Sequence, residues 1–440
     1  MGPLVARVIG TPLSQAVAGS LVAGVVTQAA LAISGILLAR TLGPENRGYL
    51  ALLLLWPAIL SQVGGLGLPF AMAYFVARDP GHAAALTRSL MAPAALQVVA
   101  LLVCQIAVLT WYDAGKPGPV QLASLFTLVA VPAQLALDYG LGILQGQQRF
   151  LAFNLLRAVV PWLTALAAAF LFLSQTRHLP MVTLALMTAT ALGGCAALLV
   201  AIRGVSPHRR SGKTSSDDAV PGRRQLLTFG VRGLLGSIYP VETFRIDQAV
   251  VGLLLSPAAL GVYVVALAFT NLPRFIAQSV GMVAYPHIAG APDRRSARRS
   301  MWRLFGLVVT LSVAVVIVLE AAVGLLVPLF FGPAFSAAVL PARIMLIGVV
   351  FLAGRRLLTE ALKGTGFPIA GTVSEIASWA WLVPALALLI PTRGLEGVAI
   401  AMTSSAVFSL IVVLGLDLFR ERGAGQSPAG YARGTVAMKP

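Results

Sequence analysis

Charge is what this chain has least of. Of its 440 residues only 11% are charged and 58% are hydrophobic, where a soluble domain carries about 25% charged residues. That excludes a soluble globular protein and leaves a polytopic membrane protein. Cysteine and histidine are scarce too, at two and four. Cys104 and Cys195 sit in apolar stretches and read as packing thiols. No CxxC pair or His/Cys cluster calls for a metal or cofactor. His82, His178 and His208 fall in loops, and His287 follows Pro286 at the end of an apolar stretch. A Walker lysine, a nucleophile elbow and an HExxH element are all missing, which argues against ATP hydrolysis and against an enzyme. Acids are the rarer charge, 15 against 32 Lys and Arg, for a net +17.

Long apolar runs are present in quantity. A spanning helix needs about 20 mostly apolar residues. Twelve segments qualify, at 16–39, 50–77, 89–112, 120–145, 152–174, 180–202, 226–255, 258–288, 302–327, 338–362, 368–390 and 395–419. With the amino terminus inside, cytoplasmic loops and tails hold twenty Lys and Arg, external loops five (Arg40, Arg47, Lys116, Arg177 and Arg393), and the spans seven. This asymmetry is the positive-inside pattern. It puts both termini in the cytoplasm, and the excess of Arg over Lys with abundant Ala hints at a GC-rich bacterial genome, hence a bacterial inner membrane. The basic excess then reads as topology and contact with anionic lipids, not as a nucleic-acid surface.

The second half echoes the first. Pro44, Gly48 and Tyr49 between spans one and two match Pro257, Gly261 and Tyr263 between spans seven and eight. Val63-Gly64 before Pro69 matches Val280-Gly281 before Pro286, and Leu144-Gln145-Gly146 matches Leu362-Lys363-Gly364. The offset drifts only from 213 to 218, which indicates a duplication. Six spans separate equivalent helices, so the halves share an orientation and a pseudo-twofold along the membrane normal. The expected organisation is all-α: an N-lobe at 1–202, a polar linker at 203–225, a C-lobe at 226–420 and a tail at 421–440.

Seven arginines fall inside the spans: Arg157, Arg232, Arg245, Arg274, Arg343, Arg355 and Arg356. A charge at membrane depth costs about 2.5–3.5 kcal/mol, so each should face a cavity or an opposite charge. The repeat aligns Asp138 with Arg356 and Arg157 with Glu375. Two structural salt bridges are therefore expected, Asp138–Arg157 and Arg356–Glu375, although Glu360 also stands one turn from Arg356. Arg355 is left over as a cavity cation. Span seven is the most polar, with Arg232, a Gly230-Gly233-Gly236 series, Pro240, Glu242, Arg245 and Asp247. Pro240 should kink it. Arg245 lies ten residues from the external end, about 15 Å, near the midplane. Arg274 is similarly central on span eight. Guanidiniums at that depth suit a passing phosphate or diphosphate, because each offers a bidentate fork. The candidate cargo residues are Arg245, Arg274, Arg232 and Arg355; the bland alternative pairs Arg245 with Glu242 or Asp247. Glu320 has no charged neighbour in sequence, and with Asp247 and Glu242 it is a candidate for a coupling ion.

Certain motifs carry a resemblance. Leu38-Ala39-Arg40-Thr41-Leu42-Gly43-Pro44 through Gly48-Tyr49, Arg245-Ile246-Asp247-Gln248 with Gly261-Val262-Tyr263, Leu144-Gln145-Gly146 with Arg149, and Phe330-Phe331-Gly332 together resemble the polysaccharide-exporter branch of the MOP flippase superfamily. The resemblance covers about residues 15–420. It implies two six-helix lobes around a central cavity. It also implies export of an undecaprenyl-diphosphate-linked oligosaccharide by alternating access, with lipid-linked saccharide and polysaccharide assembly proteins as partners. The alternatives are a MATE-like cation-coupled drug exporter and a polymerase or ligase acting on the same lipid carrier. Span one holds no charge at all, unlike its counterpart in peptidoglycan-precursor flippases and in MATE exporters.

Overall fold

The computed structural model describes residues 12–78, 83–204, 222–237, 245–367 and 369–425. Within these residues the regular structure is helical: α1 (Pro12–Gly64), α2 (Leu68–Arg78), α3 (Ala83–Asp113), α4 (Gly118–Phe126), α5 (Ala130–Gly146), α6 (Phe150–Leu173), α7 (Leu179–Arg203), α8 (Arg223–Ser237), α9 (Ile246–Leu254), α10 (Pro257–Ala289), α11 (Arg294–Leu326), α12 (Val339–Gly364) and α13 (Ile369–Gly425). A backbone in hydrocarbon must satisfy its own hydrogen bonds, and helices do so within one segment.

Nine described helices are long and apolar enough to cross a membrane, against twelve expected segments. The difference lies at three places. α1 and α13 are each double-length, and each is broken once, at Gly43 (φ 70°) and Gly394 (φ 53°). Positive φ is costly for any residue with a Cβ, so glycine is what lets the chain turn there without a loop. The third place is span 226–255, which is divided into α8 and α9 on either side of residues outside the described set. The twelve-helix reading accounts for all three.

Tertiary contacts divide the chain into two compact units. Unit 1 is Met1–Ala268 with Leu325–Ala338, and unit 2 is Phe269–Gly324 with Val339–Pro440. Lipid tails are as apolar as leucine, so helix association rests on close backbone approach. In unit 1, a Cβ on Gly140 of α5 would lie 2.6 Å from the Ala197 carbonyl carbon of α7, and one on Gly194 of α7 would strike the Ala133 oxygen of α5. The core of this unit gathers Met72, Phe75, Leu86, Ile143, Leu144 and Leu226. That of unit 2 gathers Ala284, Met301, Leu357, Leu358 and Val413 from four helices.

The repeated Pro-x-x-x-Gly elements meet each other inside unit 1. A Cβ on Gly48 would run into the Pro257 carbonyl oxygen, and one on Gly261 into the Pro44 carbonyl oxygen. The contact is reciprocal, as two-fold-related surfaces require. Arg40, ahead of the α1 break, donates from Nε to the Phe330 carbonyl at 2.7 Å and from Nη2 to the Leu329 carbonyl. Two motifs that were far apart in sequence are thereby tied together.

Candidate functional site

The candidate site lies around the α1 break at Gly43. Past Gly43 the chain re-enters a helix and places Arg47 one turn later. Its Nε is buried and has no hydrogen-bond partner. The limb carrying it packs on α9 and on the start of α10, because Gly252 admits the Leu52 side chain and Gly48 admits the Pro257 backbone. Arg245 immediately precedes α9. It is exposed, and its backbone is left-handed, φ 45° and ψ 45°. A non-glycine residue in that region holds about 1 kcal/mol or more of strain, which is commonest at functional sites. Arg47 and Arg245 stand near enough for their charges to repel. An anion between them turns that repulsion into two attractions.

Asp247 lies in the first turn of α9 and is 5% exposed. The Tyr263 hydroxyl donates to its Oδ2 at 2.8 Å. The acid end of the pair sits where the helix dipole favours it, held by the tyrosine of the repeated element.

Of the remaining expected cations, Arg232 is exposed on α8. Arg274 is half-buried on α10 in unit 2, and its Nε is buried without a hydrogen-bond partner. Arg355 corrects an expectation. It is no spare cation: its Nη1 lies 2.5 Å from Glu375 Oε2, and both side chains are under a tenth exposed. The bridge at Glu375, expected from Arg356, is made by the residue before it. The helix explains the change. Arg355, Leu358, Thr359 and Leu362 share the buried face of α12, and Arg356 is turned about 100° from it.

The expected Asp138–Arg157 bridge does not form. Asp138 accepts from Gln134 Nε2 at 3.0 Å, one turn back on its own helix. Arg157 lies over the Phe153 ring, 5.8 Å from its centroid. Each group found a local partner that needs no interhelical register. Glu320 is not alone either: Arg343 Nε of α12 stands 3.8 Å from its Oε2. Glu242 lies outside the described residues.

The sequence reading placed Arg47 in the external stretch between spans one and two, where the structure has helix, and it did not pair Tyr263 with Asp247. The Arg47 signal was available in part. It sits between Pro44 and Gly48, the element that the repeat marks as a close contact.

A family model described as a polysaccharide biosynthesis protein matches residues 13–291. No curated protein matches the sequence significantly. Among solved structures, a lipid II flippase MurJ in an inward closed conformation is similar at TM-score 0.72 and 14% identity, covering 90% of this chain and 87% of that one. An inward-facing multidrug resistance MATE family transporter of the MOP superfamily is similar at TM-score 0.70 and 17% identity, covering 91% and 96%. A MATE transporter in a straight conformation follows at TM-score 0.64 and 17% identity, covering 96% and 98%. At these identities the likeness is one of fold.

Proposed function

The chain belongs to the polysaccharide biosynthesis protein family of the MOP flippase superfamily, and on that premise we propose that it moves an undecaprenyl-diphosphate-linked oligosaccharide across the bacterial cytoplasmic membrane by alternating access. It is a multi-pass membrane protein of the flippase and transporter class. The cargo assignment is supported by the buried Arg47 Nε, which has no hydrogen-bond partner, and by the charge of Arg245 acting on that guanidinium. Two like charges in an apolar helical body are stable beside a polyanion, and a diphosphate supplies one. Arg274 and Arg232 are the further cations of this reading, met at other stages of the passage. Asp247, buried under Tyr263, is the preferred coupling acid.

The reciprocal contact of Pro44–Gly48 with Pro257–Gly261 supports two matched lobes at 1–202 and 226–420. The surplus of basic residues in the assigned cytoplasmic loops supports cytoplasmic termini. A lipid-linked saccharide and the membrane's anionic lipids are the expected partners, with polysaccharide assembly proteins downstream of the cargo.

Replacing Arg245 and Arg274 together by Gln tests the reading. Glycan export is lost, lipid-linked precursor accumulates on the inner leaflet, and the amount of inserted protein stays normal. Unchanged export would remove these arginines from the site. Lost drug resistance with intact glycan would move the chain to the cation-coupled exporters.

A further inference from the structure

A cavity of about 450 Å³ opens in unit 2, where the end of α10, the first two turns of α11 and the ends of α12 and α13 converge. Its charged lining is balanced: Asp293, Asp417 and Glu421 against Arg294, Arg298 and Arg420. Most of these charges are already engaged. Asp293 Oδ1 accepts the Ser296 backbone N–H at 2.7 Å and caps α11. Arg298 is bridged to Glu421. Arg420 donates to the Thr365 hydroxyl at 2.6 Å and its carbonyl at 2.8 Å, and lies over the Phe367 ring.

Two groups of opposite sign are left. Asp417 is 7% exposed, and its Oδ2 is buried with no hydrogen-bond partner. Arg298 Nη2 stands 3.9 Å from that oxygen, beyond hydrogen-bond reach. Arg294 is exposed and has no partner among the described residues. The cavity thus offers an acceptor at its back and a cation at its mouth. An anion alone would leave Asp417 without a donor, and an amine alone would leave Arg294 idle.

We propose that this cavity binds the headgroup of an aminophospholipid, its primary ammonium donating to Asp417 and its phosphodiester facing Arg294. The lipid source follows from position. The helix that begins at Arg294 with several arginines runs on into a stretch apolar enough to cross a membrane, within the span 294–331, so the cavity is placed at the level of the membrane surface. Trp302, on the next turn, is of the type that settles at that level. Exposed Arg295 and Arg299 beside the mouth add attraction for a lipid surface. The site belongs to unit 2 alone and does not depend on the cargo assignment.

The test is lipid retention by the full-length chain in detergent micelles, read by native mass spectrometry. The probes are phosphatidylethanolamine, phosphatidylglycerol and soluble glycerophosphoethanolamine. The wild type should hold phosphatidylethanolamine at least tenfold more tightly than phosphatidylglycerol. Asp417→Asn should bring that ratio close to one, and Arg294→Gln should weaken both lipids several-fold. Equal retention of the two lipids by the wild type would overturn the proposal, as would an unchanged ratio in Asp417→Asn. If Asp417→Asn fails to fold, exposed Arg294→Gln still decides, since undiminished phosphatidylethanolamine binding there is incompatible with the site. Soluble glycerophosphoethanolamine bound as tightly as the lipid would overturn the membrane source.

Discussion

In unit 2, Arg355 lies 2.5 Å from Glu375 with both side chains buried, Arg343 faces Glu320, and Arg298 is bridged to Glu421. In unit 1, Arg47 feels the charge of another arginine, Arg245, and three acids accept from neutral groups: Asp138 from Gln134, Asp113 from Ser124 and Asp247 from Tyr263. The same residue types therefore serve two ends. An arginine matched to an acid holds helices in register. An arginine matched to its own kind is incomplete without an anion. Arg274 of unit 2 likewise has a buried Nε with no hydrogen-bond partner.

The largest effect that could break this contrast is at Glu375. Replacing it by Ala leaves Arg355 buried and uncompensated, which costs about 3–5 kcal/mol. The apparent Tm in detergent should fall sharply. The double change Arg355→Met with Glu375→Met removes both charges and should recover most of that loss, since buried pairs are often replaceable by apolar residues. A Glu375→Ala protein as stable as the wild type would mean that the bridge holds nothing.

At Arg47 and Arg245 the outcome should be reversed. Replacing both by Gln removes a repulsion, so the Tm should hold or rise. Glycan export should fall about 100-fold, equivalent to about 2.7 kcal/mol of lost cargo binding. Stability lost with export unchanged would put these arginines among the structural ones and erase the difference between the units.

A third change sharpens the comparison at the repeat. Gly48→Ala places a methyl against the Pro257 oxygen, an overpacking that typically costs about 1–3 kcal/mol. Gly261→Ala does the same against Pro44, and the two should match in size if the elements are equivalent. Thermal unfolding of the two variants measures this; a large disparity would argue that only one of the contacts is structural.

Most of the fold was legible because its signal is long and redundant. Twenty-residue apolar runs mark helices whatever their exact ends, and α1 with α13 conceals two spans apiece only because Gly43 and Gly394 bend the chain without unwinding a loop. The site was less legible because it depends on single residues and on rotation. Arg355 and Arg356 are equivalent in sequence, yet one step of about 100° on α12 puts the first against Glu375 and turns the second aside. The repeat alignment carries an uncertainty of a residue or two, larger than that step. Asp138 shows a second cause. Alignment suggested Arg157 across a helix boundary, but Gln134 was already in reach one turn away. At Arg47 a loop was expected where the chain is helical on both sides of Gly43.

The smallest effect is expected at Arg343 and Glu320, where the two ends of the comparison come closest. Their separation is 3.8 Å, and the side chains are 49% and 27% exposed. A pair this open gains little, about 0–1 kcal/mol in most measured cases, although Glu320 Oε1 is itself buried without a donor. Arg343→Gln should therefore shift the Tm by at most a few degrees. Glu320→Gln supplies an amide donor or acceptor in the same volume and should shift it less. Export is the sharper readout. If Glu320 serves only Arg343, either variant exports normally under every imposed gradient. If export in Glu320→Gln loses its dependence on an imposed proton or sodium gradient while the Tm stays put, Glu320 and not Asp247 carries the coupling ion, and an acid paired with an arginine would then have to be counted as functional.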